Sequence, residues 1–317
     1  MGSTVAFLVP VYQSEKTIKG CLDSILGQTQ TDFEVVVVDD GSTDNSAAIV
    51  DEIASKDSRV RLVRNRVNAG VAHSLNVGVD HTDADLVARL DADDEAATSR
   101  LQTQLERMKA SPAIGVCGSF VTYIGRTTAH DRLARVPVEH EDIQAQLRET
   151  MHSPFYHPSV MFRRSLVLEA GGYRTFFKNA EDYDLWLRLS RQTTFANIPL
   201  PLTRYRLSTQ GATMSRLKEQ RLYALLAKRS AAEPHRDLAD LWTDLTNAAD
   251  DAEMAAFARK EYRHFAAELV DLGYPQQAFR LLVGARRELG NSAAARFAAS
   301  QTVARLKARI GRRRMRT

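Results

Sequence analysis

The 317-residue sequence is poor in cysteine, in long apolar runs and in glycine where cofactor loops need it. Cys21 and Cys117 are its only two cysteines. They lie far apart without a ligand partner at metal spacing, which excludes a disulfide framework and a structural zinc site. Both read as small buried hydrophobes. No uncharged apolar stretch approaches the roughly 20 residues that span a bilayer. After the apolar residues 5–9 comes Pro10-Val11-Tyr12-Gln13-Ser14-Glu15, which has no glycine and so excludes a dehydrogenase dinucleotide fingerprint. The first residues carry no basic stretch, and Ala6 stands where a myristoylation signal calls for Ser or Thr, so neither export nor acylation is expected.

What is present is the composition of a globular protein, 44% apolar and 26% charged, enough to bury a core in one large domain and a smaller one. The net charge is only +4, but Arg305, Lys307, Arg309, Arg312, Arg313, Arg314 and Arg316 crowd the end with no acid among them. That tail is either a contact for an anionic membrane surface or a solvated basic end. No nucleic-acid partner is expected.

Short β-branched runs at residues 5–9, 35–38, 60–63 and 86–90 alternate with segments of helical period, the pattern of a mostly parallel sheet flanked by helices. Ile18, Leu22, Ile25 and Leu26 give the first helix one apolar face. Ser42-Thr43-Asp44 offers a cap for a helix over residues 46–55, and a further helix is expected over residues 71–79. Later strands are expected at residues 116–123 and 159–162, and helices at residues 165–170 and 183–191. Trp186 and Leu189 read as packing residues of the last of these, and Gly41, Gly70, Gly171 and Gly172 as turn glycines. Beyond residue 215 the chain reads as all-helical. Phe265, Leu269, Gly273, Tyr274, Ala278 and Leu282 have the spacing of one helical hairpin, too little for a repeat array.

Acids cluster where strands give way to loops: Asp39-Asp40, Asp91-Ala92-Asp93-Asp94, and Glu181-Asp182 ahead of a helix. Carboxylates two apart on an extended segment point to one side, so Asp91 and Asp93 can address one ligand. Hard divalent ions such as Mn²⁺ or Mg²⁺ take oxygen donors of this kind, and a lone carboxylate such as Asp182 can act as a general base. Taken singly, such acids can also be turn and cap residues without chemistry.

These motifs occur in an order that resembles glycosyltransferase family 2 of the GT-A fold. The resemblance runs from Val9-Pro10-Val11-Tyr12 with Glu15, through Val38-Asp39-Asp40-Gly41-Ser42-Thr43-Asp44 and Asp91 to Asp94, to His157-Pro158-Ser159 and Glu181-Asp182-Tyr183-Asp184-Leu185-Trp186. It covers about residues 4 to 206. It implies a GT-A catalytic domain at residues 1–214 with a helical extension at 215–317. It also implies an inverting transfer of a sugar, by default from a UDP-sugar, to a glycan or lipid-linked saccharide acceptor, as in polysaccharide biosynthesis. Carried over residue by residue, Pro10, Tyr12 and Glu15 border the nucleoside. Asp40, and after it Asp39, bonds the base, and Asp91 meets the ribose or diphosphate. Asp93 ligates Mn²⁺ or Mg²⁺, with Asp94 as second choice, and Asp182 is the base with Glu181 beside it. Arg206 neutralises phosphate charge; Ser208 stands where the family often has a histidine, so the resemblance assigns no histidine ligand there and leaves a third metal ligand from that region open. His157 either faces the acceptor or the metal or is a structural histidine.

The rival from another class is a noncatalytic nucleotide-sugar binding or scaffold protein of the same fold, against which Asp91, Asp93 and Asp182 together argue. Nucleotidyl transfer is a third option. The enzyme is expected in the cytoplasm, at the inner membrane face if the basic end is a membrane contact rather than a solvated one.

Overall fold

In the first strand, β1 (Val5–Val11), Val5, Phe7, Val9 and Val11 belong to one core cluster, whereas Ala6 and Leu8 are buried on the opposite face. A strand covered on both sides reads as a continuous apolar run, as this one does. Each of the valines, Phe7 and Leu8 contributes roughly 1.5–3 kcal/mol on burial. The computed structural model describes residues 4–207, 214–249 and 251–278. From β1 the chain continues through α1 (Ile18–Leu26), β2 (Glu34–Asp39), α2 (Ser46–Ala54), β3 (Val60–Arg64), α3 (Val71–Asp80) and β4 (Leu86–Arg89). The middle of the chain holds β5 (Glu95–Ala96), α4 (Arg100–Ala110), β6 (Ile114–Tyr123), β7 (Arg132–Ala134), α5 (His140–Glu149), β8 (Met161–Arg163) and α6 (Arg164–Glu169). The last elements are α7 (Glu181–Leu189), β9 (Thr194–Tyr205), α8 (Met214–Ala232), α9 (Leu238–Ala248) and α10 (Asp251–Asp271).

The sheet order is β3-β2-β1-β4-β8-β6-β9-β5, with β7 alongside β6. Strands β3, β2, β1 and β4 are parallel, so their carboxyl ends share one edge; β8 pairs antiparallel with β4 and with β6, as β5 does with β9. One face is covered by Ile18, Cys21, Leu22 and Ile25 of α1. On the other, α3 lies close: a Cβ on Gly78 would come within 2.0 Å of Leu8 Cδ1.

Helix α4 is fastened by polar groups. The fully buried Arg100 donates to the carbonyls of Pro158 (2.8 Å), Arg89 (2.7 Å) and Val160 (3.2 Å), and Gln104 donates to those of Cys117 (2.8 Å) and Ser159 (2.9 Å). These bonds fix the end of β4 against the 3-10 turn His157–Ser159.

Two expectations shift in detail. The helix expected from Tyr183 begins at Glu181, which moves Glu181 and Asp182 into its first turn, where the helix dipole favours carboxylates. The strand expected over residues 159–162 gives way at its start to the 3-10 turn, because Pro158 cannot donate to a ladder. At α2 the cap position is Asn45, with no side-chain capping bond; Asp44 instead accepts from the amide of Ser46 at 3.0 Å.

The chain divides into two compact units, one of Met1–Thr122, Leu133–Arg206 and Tyr223–His235, the other of Tyr123–Arg132, Leu207–Leu222 and Arg236–Thr317. In the second, α10 is followed by a turn with Gly273 at φ 83°, in which Tyr274 N bonds Leu269 O at 2.8 Å and Arg126 N reaches Leu272 O at 2.8 Å. Helix resumes over residues 275–278, as the hairpin spacing predicts, while Leu282, Ser208 and the basic end from Arg305 to Arg316 lie outside the described residues.

Candidate active site

The loops after β1 and β2 are bonded to each other. Gln13 N donates to Ser42 Oγ (3.0 Å), Gln13 Nε2 to Thr43 Oγ1 (2.8 Å), Ser14 N to Ser46 Oγ (2.7 Å) and Glu15 N to Asp44 Oδ2 (3.0 Å). Glu15 Oε2 accepts in turn from the amide and side chain of Asn45, at 3.2 and 3.0 Å. Pro10 is half-buried opposite Val38, and Tyr12 is exposed. Asp39 and Asp40 are both buried. Asp40 Oδ1 accepts from Asn65 Nδ2 (2.8 Å) and Ala69 N (3.0 Å), and Oδ2 from Gly70 N (2.8 Å). Asp39 Oδ2 accepts from Ser42 N at 3.3 Å, but its Oδ1 is buried with no hydrogen-bond partner. Gly41 takes φ 73°, and a Cβ there would meet Val67 C at 2.9 Å, so glycine is required at this turn.

At the end of β4, ligand atoms of Asp91, Asp93 and Asp94 all lie within 4.8 Å of one another. Arg89 grips the Asp91 carboxylate with both terminal nitrogens, Nη1 to Oδ2 at 2.7 Å and Nη2 to Oδ1. The pairing of Glu95 with Arg204 in β5 and β9 carries Arg206 alongside: its amide donates to Asp94 Oδ1 at 2.7 Å and its Nε to Asp93 O at 3.1 Å. Burial, and after it the charge of Asp91, push the Asp93 carboxyl up to about 6. Asp94 is raised well above the usual carboxylate range by burial and then by Asp91 and Asp93, and its Oδ2 has no partner. Crowded, half-satisfied carboxylates of this kind are an oxygen-only donor set that a hard divalent cation would neutralise.

On α7, Glu181 is buried with Oε2 unpartnered, while Asp182 keeps partial exposure. Burial, then Asp182, raises Glu181 to about 8; burial likewise raises Asp182, opposed by the Tyr183 amide, by Arg89 and by a hydrogen bond from Ser153. His157 Nδ1 sits 4.0 Å from Glu181 Oε1, and its Nε2 lies 3.2 Å from Tyr173 OH. Burial, and after it Arg89, hold His157 well below its ordinary value, so it is neutral. Its ring packs edge-on against the buried Trp186 at 6.0 Å.

The structure thus brings Asp91, Asp93, Asp94 and Arg206 together, and the charges of Asp91 and Arg89 act on Glu181. Asp39 and Asp40 share the same carboxyl edge, with β1 standing between β2 and β4, about 10 Å away at the usual strand spacing. Pro10, Tyr12 and Glu15 belong to that β1–β2 rim. Sequence reasoning missed Arg89; its signal was a charge inside an otherwise apolar strand. A cleft of about 540 Å³ lined by His140, Arg148, Leu187, Arg191 and Lys228 contains none of these acids.

Residues 6–169 match the model described as Glycosyl transferase family 2. The chain belongs to this family. A curated relative is the amylovoran biosynthesis glycosyltransferase AmsE of Erwinia amylovora, 32% identical over 202 residues, spanning 63% of this chain and 74% of that protein. An uncharacterized glycosyltransferase of Haemophilus influenzae is 30% identical over 219 residues, 64% of this chain; the match spans only 65% of that relative's length. Among solved structures, the Pyrobaculum calidifontis mannosyltransferase PcManGT, in complex with GDP-Man and Mn²⁺, superposes with a TM-score of 0.56 at 21% identity, covering 96% of this chain and 80% of that one. S. aureus TarS 1-349 in complex with UDP gives 0.59 at 17% identity, with 95% and 88% covered. At such identities these likenesses speak to the fold, which is the GT-A arrangement, with helices following it. Among the described residues no helix is long and apolar enough to cross a membrane.

Proposed function

We propose that this family 2 protein moves a sugar from a nucleoside diphosphate sugar to an acceptor hydroxyl with inversion, with a divalent cation at the β4 acids and Asp182 as base. The observation that carries this reading is the approach of Asp91, Asp93 and Asp94 to within 4.8 Å of one another at the carboxyl end of a parallel strand, where ligands bind in open α/β sheets. Asp93, with Asp94 beside it, would hold Mn²⁺ or Mg²⁺. When bound, that ion supplies charge neutralisation for the departing nucleoside diphosphate. Arg206 adds positive charge for the same group, and Asp91, held by Arg89, faces the ribose or diphosphate. Pro10, Tyr12 and Glu15 border the base, with the unpartnered oxygen of Asp39 as an acceptor for its edge. Asp182 stands in the first turn of α7, and its raised affinity for a proton suits a group that takes one from an acceptor hydroxyl.

PcManGT with GDP-Man and TarS with UDP support a nucleoside diphosphate donor, for which a UDP-sugar is our first choice. The kinship with AmsE, an amylovoran biosynthesis glycosyltransferase, supports a glycan acceptor, and a lipid-linked saccharide is our alternative. The catalytic groups all lie within residues 1–214, which we take as the catalytic domain, with 215–317 as an extension. The reaction would then take place in the cytoplasm, the basic end lying against the inner membrane face.

A panel of nucleotide sugars, incubated with Mn²⁺ and acceptor glycans, tests the reading through nucleoside diphosphate release. Release of pyrophosphate would assign nucleotidyl transfer instead. Donor binding with neither hydrolysis nor transfer would make the protein a scaffold.

A further inference from the structure

Arg89 follows Leu86, Val87 and Ala88 in β4 and is only 3% exposed. A charge so deep must be paired, and Asp91 provides the pairing through both terminal nitrogens. Two further facts exceed what an ion pair requires. Arg89 Nε is buried with no hydrogen-bond partner, so the guanidinium is not saturated by Asp91. Its charge also acts on a second set of groups, Glu181, Asp182, His157 and Tyr173, which come from other elements.

The backbone explains how one side chain serves both sets. Arg89 N bonds Val160 O at 2.9 Å, and Val160 directly follows the turn that carries His157 to within 4.0 Å of Glu181. Arg100 holds the carbonyls of both Arg89 and Val160, at 2.7 and 3.2 Å, so one side chain ties the two segments together. Without this cation, the charge of Asp91 would act on Glu181 with no Arg89 to oppose it.

We propose that Arg89 is a positioning residue, a built-in counter-cation that fixes the Asp91 carboxylate and lets the carboxylates of α7 stand beside those of β4. This rests on the transfer reading of the site. Asp182 is faced by Glu181 on its own helix, by Arg89 from β4, by the Ser153 hydroxyl, and by the Tyr173 and Tyr183 phenols, both of which feel its charge. Arg89 is the cation acting on it, and its loss leaves burial opposed only by hydrogen bonds from the Tyr183 amide, the Ser153 hydroxyl and its own backbone.

The test uses Arg89→Met and Arg89→Lys in the full chain. Carboxyl-¹³C NMR of aspartate-labelled protein, with the Asp182 signal assigned by Asp182→Asn, reads the Asp182 titration directly. Its midpoint should rise by about one pH unit in the Met variant and stay in place in the Lys variant. The acid limb of the pH–rate profile should follow, while the Lys variant, lacking the two-pronged grip on Asp91, should lose roughly tenfold in kcat. An unmoved midpoint in a folded Met variant overturns the proposal, as does a Lys variant that shifts as far as Met. If Met prevents folding, the equally uncharged Arg89→Gln takes its place: a raised Asp182 midpoint supports the proposal, and an unmoved one refutes it. The NMR titration needs no turnover, so a wild type inactive on every nucleotide sugar would sink the transfer reading and still leave this one answered.

Discussion

Asp39 and Asp40 are neighbours at the end of β2 with opposite commitments: both oxygens of Asp40 are occupied by Asn65, Ala69 and Gly70, while Asp39 buries an oxygen that nothing bonds. Asp40 latches the loop that opens α3. Asp39 has an acceptor to spare, and a buried acceptor left unmet is costly unless a ligand meets it.

Asp40→Ala should therefore lower stability by about 1–3 kcal/mol, seen as a lower melting temperature and denaturant midpoint. Asp39→Ala should instead weaken nucleotide binding, measured by calorimetry with UDP and GDP, while costing less stability. Equal effects of the two on both measurements would contradict the assignment.

Asp93→Asn should abolish metal-dependent turnover. In the wild type, Mn²⁺ should raise the melting temperature, because a ligand bound to the native state stabilises it. In the Asn variant that rise should shrink or vanish.

Asp182→Asn should reduce kcat by about 10²–10⁴-fold and leave the donor KM nearly unchanged, since the base acts on the acceptor. Full activity in this variant would remove Asp182 from the mechanism.

Glu181 binds its proton more tightly in the folded state, at about 8 against an ordinary 4.5. The folded protein then holds a proton that the unfolded chain has released, so stability declines as pH rises from about 4.5 to about 8. The buried neutral His157 works in the opposite sense, contributing stability that is lost only as pH falls below its ordinary 6.5. Metal-free melts between pH 6.5 and 8 thus set His157 aside, and the difference between wild type and Glu181→Gln separates the share of Glu181 from that of the other raised carboxyls. Glu181→Gln should flatten the decline there; an unchanged slope would mean that Glu181 is ionised throughout.

The half of the fold that ends in the acid-bearing loops was legible because its strands are apolar on both faces and its helices carry one apolar stripe. Much of the rest was hidden by polar burial. Helix α4 packs Leu101, Leu105 and Met108 inward, but Arg100 and Gln104 share that buried face as hydrogen-bond donors, which erases the hydrophobic period. Strand β9 carries Pro199 and Pro201, residues that argue against a strand; both sit in its exposed middle. At the site, the acids were readable as motifs, but their partners were not. That Asp40 would be consumed by the loop at residues 65–70, and that Arg89 would sit among the carboxylates, depends on contacts between segments distant in sequence.

The bonds between the loops after β1 and β2 bear on how ligand capture would be driven. With Gln13, Ser14 and Glu15 already tied to Ser42, Thr43, Asp44, Asn45 and Ser46, that wall is preorganised, and a guest arriving there has little chain entropy to quench. Association would then be fast and nearly rigid-body on this side, leaving slower rearrangement to other parts of the molecule.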